Sequence, residues 1–235
     1  MRCKHYFASI IVSLSLSFLF INNLYAKGIA DPAEGWNHLW YELMVDIIII
    51  GVIFAVLTLY LLLRYRRKQP DEEGQGPELS PLAALGWALI PTFIFLADDI
   101  FLGAKNFELW NKYRNIPENA YAINLESAMW SWEFNYPEGI KATNELRVPA
   151  GEPIMLKMTS RDVVHNLFIP EYKVKWEIRP GTMDTIWFYP KKTGEYVMTC
   201  VEFCGVLHSS MHGKVIVMQK DEFSKWIETE KNKIK

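Results

Sequence analysis

Thr199-Cys200-Val201-Glu202-Phe203-Cys204-Gly205-Val206-Leu207-His208-Ser209-Ser210-Met211 places two thiols, an imidazole and a thioether in one short segment, in the order C-x-E-x-C-x-x-x-H-x-x-M. Soft thiolate and thioether ligands select copper, and a weak axial Met beside His and Cys recurs in copper electron-transfer sites. A mononuclear site of that kind needs one Cys. A second thiolate in the same loop lets two copper ions share both sulfurs as bridges, which spreads one unpaired electron over the pair. In an oxidising compartment two nearby cysteines can instead form a disulfide. That reading gives His208 and Met211 no reason to stand at those offsets.

Two bridged coppers need a terminal imidazole each, and the second one lies upstream. His165 stands in Thr159-Ser160-Arg161-Asp162-Val163-Val164-His165-Asn166-Leu167-Phe168-Ile169-Pro170, between two strand-like segments. At these residues the chain resembles subunit II of the heme-copper oxidases, the subunit that carries the dinuclear CuA centre. The resemblance implies that Cys200 and Cys204 bridge, that His165 and Met211 complete one copper, and that His208 and the backbone carbonyl of Glu202 complete the other. It further implies that the Glu202 side chain points away and helps hold a magnesium or manganese ion at the interface with catalytic subunit I. The implied activity is to take single electrons from a cytochrome c and pass them to heme in that larger subunit, within a cytochrome c oxidase. A nitric oxide reductase of the same superfamily is the alternative.

Outward from this loop, the 235 residues allow one or two domains, and the 50% hydrophobic fraction is high for a soluble chain. Apolar runs account for the excess. A net charge of −2 without an extended basic patch argues against nucleic acid. Residues 1–26 have the form of a secretory signal peptide, with Arg2 and Lys4 ahead of an apolar core and Ala26 at the end; the other reading is an uncleaved helix. Cleavage would remove Cys3 and leave only Cys200 and Cys204.

Residues 27–114 read as a transmembrane hairpin. The first span, about 43–63, is followed by Arg64, Arg66, Arg67 and Lys68, which places that end in the cytoplasm by the positive-inside rule. Trp36, Trp40 and Tyr41 suit the outer interfacial belt, and the basic cluster can also meet anionic membrane lipid. The second span, about 79–104, carries Asp98 and Asp99 in its outer half, where they can be functional or can lie near the interface or face a partner subunit. Both the N-terminus and the copper loop then lie outside a bacterial-type inner membrane. Trp87-Ala88-Leu89-Ile90-Pro91 resembles the family's second helix, but Ala84 stands where the family usually has a glutamate at the mouth of a proton channel.

From residue 115 to 219 the hydrophobic period becomes that of strands. Short Val-, Ile-, Thr- and aromatic-rich segments, among them Tyr121 to Tyr136, Glu152 to Ser160, Thr182 to Tyr189, Tyr196 to Cys200 and Gly213 to Met218, are separated by Pro and Gly turns. About a hundred residues of this kind suggest an all-β Greek-key sandwich, cupredoxin-like, with the copper ligands in two loops at one end. Residues 220–235 suggest a short amphipathic tail helix, since Phe223, Trp226 and Ile227 share one face. In Trp130-Ser131-Trp132-Glu133-Phe134-Asn135-Tyr136 the family's aromatic path toward CuA is recognisable, but Ala128 occupies the place of its first Trp. Trp130 and Trp132 either take over electron uptake from the donor or pack in the sandwich. No internal repeat, phosphate-binding loop or hydrolytic triad is present.

Overall fold

The structure, a computed structural model, describes residues 31–74, 76 and 78–234. The expected signal segment, with Cys3 and His5, lies outside the described residues. The helix α1 (Pro32–Arg64) starts where Pro32 fixes φ at the first helical position and the Asp31 carboxylate accepts the Ala33 N–H at 3.0 Å. It therefore begins well before Leu43. Its 33 residues extend about 50 Å, against a hydrocarbon core of about 30 Å, so more than a turn stands clear of the bilayer. The helix α2 (Pro81–Arg114) is capped by Ser80 in the same way and runs through Pro91, where the ladder loses one N–H. Both helices are long and apolar enough to cross a membrane. Their Ile, Val, Leu and Phe side chains are exposed all round, the pattern of a helix that meets lipid.

Ten strands follow: β1 (Tyr121–Ala128), β2 (Ser131–Asn135), β3 (Lys141–Thr143), β4 (Glu145–Pro149), β5 (Ile154–Ser160), β6 (His165–Ile169), β7 (Val174–Ile178), β8 (Asp184–Phe188), β9 (Gly194–Cys200) and β10 (His212–Met218). They form two five-stranded sheets, ordered β3-β2-β1-β5-β8 and β4-β10-β9-β6-β7. Pairing is antiparallel except at β1 with β5 and β4 with β10. Alternate residues point inward, so Ile123 and Leu125 of β1 meet Leu167 and Ile169 of β6 in one core between the sheets. The tail helix α3 (Lys220–Ile234) sets Phe223 edge-on to Tyr121 and Trp226 against Tyr136, at 5.6 and 5.1 Å between ring centroids. Two apolar helices, a β-sandwich and a short final helix make up the architecture.

The sandwich is fastened to the Pro32 end of α1 and the Arg114 end of α2. The Trp187 indole N–H donates to the Lys112 carbonyl (2.9 Å), the Tyr113 hydroxyl donates to the Lys173 carbonyl (3.1 Å), and Trp110 stacks on Trp176 with centroids 5.2 Å apart. Lys191 pairs with Asp31 at 2.9 Å and also with Glu34, which ties the β8–β9 connection to the start of α1.

Candidate metal centre

Each chemistry-bearing side chain is placed by a strand end or a wound loop. His165 is the first residue of β6 and Cys200 the last of β9, and these strands pair through Leu167 and Cys200. The expectation of two ligand loops is corrected in this respect: a strand ladder holds one ligand from each segment, and only the rest lie on a loop. Beyond Cys200 the chain winds tightly. The N–H groups of His208, Ser210 and Met211 donate to the carbonyls of Gly205, Leu207 and His208, and the Cys200 N–H donates to the Met211 carbonyl at 2.9 Å, which closes the loop. That winding brings Cys204, His208 and Met211 to one side.

The Sγ atoms of Cys200 and Cys204 are 3.9 Å apart, and both cysteines are buried and free. His165 Nδ1 lies 3.9 Å from the Cys200 sulfur, and His208 Nδ1 lies 3.5 Å from that of Cys204. The Met211 sulfur is 3.6 Å from Cys204, and the Glu202 carbonyl oxygen is 3.2 Å from Cys200. The ligand atoms of His165, Cys200 and Cys204 all fall within 4.8 Å of one another, the one such group of metal-binding type among the described residues. The Glu202 side chain is exposed.

Sequence reasoning missed Asp162. Its carboxylate meets His165 Nε2 at 2.9 Å and accepts the N–H groups of Val163 and Met129 at 2.7 Å each. A carboxylate on the far nitrogen of a histidine fixes the ring and leaves Nδ1 free to bind, an arrangement common behind metal ligands. A carboxylate three residues before the ligand was the available signal. Burial opposes charge on Asp162, but the bonds from Met129, His165 and Val163 outweigh it and lower its pKa. Burial also opposes charge on His165, and the Cys200 sulfur and Asp162 outweigh it and raise that pKa. The two thiols diverge. Burial resists a thiolate at Cys200, but the His165 ring and nearby backbone groups pull its pKa down, whereas burial and the adjacent Cys200 charge push Cys204 up. A bound cation would let both ionise together.

Trp132, expected as a possible contact for electron uptake, is 0% exposed and stands edge-on to His165 with centroids 6.1 Å apart. It cannot be a surface contact; strand alternation turns it inward with Phe134 and Tyr136. Trp130 is half-buried and lies over Gly205, next to Cys204. At Gly205 (φ +119°) a Cβ would come within 3.3 Å of the Trp130 ring and 3.4 Å of the Met129 sulfur, so this turn requires glycine. Around the loop, Phe203 and Val206 face outward at 77% and 88% exposure.

Residues 109–220 match the family described as "Cytochrome C oxidase subunit II, periplasmic domain". The alternative cytochrome c oxidase subunit 2 of Bradyrhizobium diazoefficiens is 24% identical, over 85% of this chain and 82% of its own length. The cytochrome c oxidase subunit 2 of Alkalihalophilus pseudofirmus is 26% identical, over 94% of this chain and 68% of its own.

Residues 109–220 belong to the cytochrome c oxidase subunit II family.

Among solved structures, the periplasmic domain of subunit II of cytochrome oxidase from Bradyrhizobium japonicum is 29% identical, covers 50% of this chain and 98% of its own, and superposes with a TM-score of 0.48. The relatives are named as subunits of cytochrome c oxidase, an enzyme complex. The sandwich corresponds to the periplasmic domain of that family, and its His and Cys cluster is consistent with copper binding.

Proposed function

We propose that this chain is the electron-accepting subunit of a respiratory cytochrome c oxidase, taking single electrons from a cytochrome c and delivering them to heme in catalytic subunit I. The observation that carries the reading is the pair of buried free thiols 3.9 Å apart, each with its own imidazole. The residues fit a dinuclear copper centre: Cys200 and Cys204 as shared ligands, His165 with Met211 on one metal, His208 with the Glu202 carbonyl on the other. Bound there, that centre supplies a one-electron redox couple shared between two metals. The protein's part is to hold the ligands still. The β6–β9 ladder fixes His165 against Cys200, Asp162 holds the His165 ring, and the wound loop closes on Met211, so the ligand atoms need little movement between oxidation states. Phe203 and Val206 give the loop an apolar rim suited to docking within a larger complex. The exposed Glu202 carboxylate belongs to no group of three or more metal-binding side chains among the described residues, so a magnesium or manganese site there would draw ligands from another subunit.

The oxidase names of the relatives support this reading over a nitric oxide reductase. The basic run after α1 and the copper ligands on the opposite side of the hairpin support a bacterial inner-membrane location with the sandwich in the periplasm. Purified full-length chain loaded with copper is expected to bind two ions and to give an electron paramagnetic resonance signal split by both nuclei. Cys200→Ser or Cys204→Ser should abolish that signal or reduce it to a single-nucleus one. One copper per wild-type chain would refute the dinuclear assignment.

A further inference from the structure

The loop that carries Cys204, His208 and Met211 is nearly bare on its outer side. From Val201 to Ser210 only Cys204 is buried, with Gly205 and His208 partly covered and the rest exposed. The Val201 N–H donates to the Asn166 carbonyl, and the backbone bonds after it stay within the loop until the Cys200 N–H meets the Met211 carbonyl. Among the described residues, no backbone hydrogen bond ties residues 202–205 to either sheet. The Cys204 sulfur is therefore placed by packing.

That packing comes from the tip of the β1–β2 hairpin. Ala128 pairs with Ser131, so Met129 and Trp130 form the turn between the strands. Both reach Gly205, the residue after Cys204: a Cβ on Gly205 would lie 3.3 Å from the Trp130 ring and 3.4 Å from the Met129 sulfur. The approach is open only because position 205 has no side chain. The Trp130 indole N–H is buried without an acceptor among the described residues, so contact, not a hydrogen bond, seats the ring. The tip itself is tethered. The Met129 N–H donates to one oxygen of the Asp162 carboxylate at 2.7 Å, the other oxygen meets His165 Nε2 at 2.9 Å, and the Arg161 N–H donates to the Ser127 carbonyl at 3.0 Å. Trp130 also packs against the buried core of the sandwich.

We infer that Trp130, assisted by Met129, is the positioning residue for the Cys204 side of the centre: its ring holds the Gly205 turn and thereby keeps the Cys204 sulfur beside His208 Nδ1 and the Met211 sulfur. One carboxylate, Asp162, anchors both the His165 ring and the hairpin tip, so the two imidazole-bearing halves of the site are set from a single point. That this seat preserves a copper centre rests on the function proposed above, whereas the seat itself is a property of the metal-free chain.

Alkylation of the reduced, metal-free full chain by iodoacetamide at fixed pH, with the modified cysteine located by fragment mass spectrometry, reads the seat directly. Trp130→Leu should speed modification of Cys204 about tenfold and Trp130→Phe, which keeps a ring, about threefold, because lost contact lowers the cost of opening the loop locally. Trp226→Leu removes a ring that packs on Tyr136 past the opposite end of β2, and is expected to lower the urea midpoint without changing the rate at Cys204. Gly205→Ala should also speed modification, and should add less in the Trp130→Leu background, since both changes disturb one contact. Once loaded with copper, Trp130→Leu should lose metal to a chelator about tenfold faster and show altered hyperfine splitting in paramagnetic resonance, with Trp130→Phe between it and wild type. Wild-type rates at Cys204 in both Trp130 variants would overturn the inference, as would equal acceleration in Trp226→Leu. So would slower reduction by ferrocytochrome c with alkylation, copper retention and hyperfine splitting unchanged, the mark of a donor contact. A wild-type chain that holds fewer than two coppers refutes the dinuclear centre, while the alkylation rates still decide the seat.

Discussion

At the scale of single residues, the proposed centre depends as much on what stands behind the candidate ligands as on those ligands. Asp162 contributes no atom to a metal, yet it orients His165 and gathers the N–H groups of Val163 and Met129. Asp162→Asn is expected to weaken copper retention about 10- to 100-fold against a competing chelator, with the fold intact by circular dichroism. Gly205→Ala should cost about 1–3 kcal/mol, measured by chemical unfolding of the metal-free chain, because a Cβ there meets the Trp130 ring in a strained backbone region. The Cys200 to Met211 set was legible because all its members lie on one local loop, whose offsets are the chemistry. Asp162 was not, since its reach to His165 depends on how the β5–β6 turn folds back. Trp132 could have been read correctly: its period-two relation to Phe134 and Tyr136 already assigned it to the inner face.

At the scale of elements, the longer strands and both apolar helices were visible in the sequence, whereas β4 and β7 were not. Glu145 and Arg147 in β4, and Lys175 and Glu177 in β7, alternate with apolar residues over only five positions each, which resembles a polar connection until a neighbouring strand completes it. The parallel pairings were also hidden, because register between distant segments is set by the shared core and leaves no local mark. The early start of α1 was readable in Asp31-Pro32, a cap followed by a proline at the first helical position. The hairpin carries its own test. In intact cells a membrane-impermeant thiol reagent should modify a cysteine introduced at Lys225 and miss one introduced at Glu73, since Arg64 to Lys68 hold the connecting loop on the inner side. Labelling with the opposite preference would place the sandwich in the cytoplasm.

At the scale of the whole molecule, the buried phenols of the outer domain link its stability to alkaline pH. Burial raises the pKa of Tyr121, with further help from the Glu138 carboxylate that accepts its hydroxyl at 2.7 Å. Burial likewise raises Tyr136 and Tyr172. A phenol with a raised folded pKa keeps its proton after the unfolded chain has begun to ionise. Its stabilising contribution is therefore complete below about pH 10 and is lost as pH climbs toward the folded values. Urea midpoints are expected to be flat with respect to these groups up to about pH 9.5 and to fall above pH 10, with the tyrosinate absorbance of these residues appearing together with unfolding. Early, independent ionisation of all tyrosines would contradict the packing described for them. The position of β10 has a different kind of consequence, one of timing. This strand lies between β4 and β9, and Gly213 within it passes so close to Asn144 and Met198 that a Cβ would sit 2.4 Å from the Asn144 carbonyl oxygen and 2.5 Å from the Met198 methyl. On the proposed topology, a chain exported N-terminus first delivers His165, Cys200 and Cys204 to the outer compartment before the strand that locks their sheet has crossed. For that interval the two thiols are ordinary accessible cysteines in oxidising surroundings. The order of strands thus makes maturation a race between closure of the last strand and oxidation of the pair that it protects.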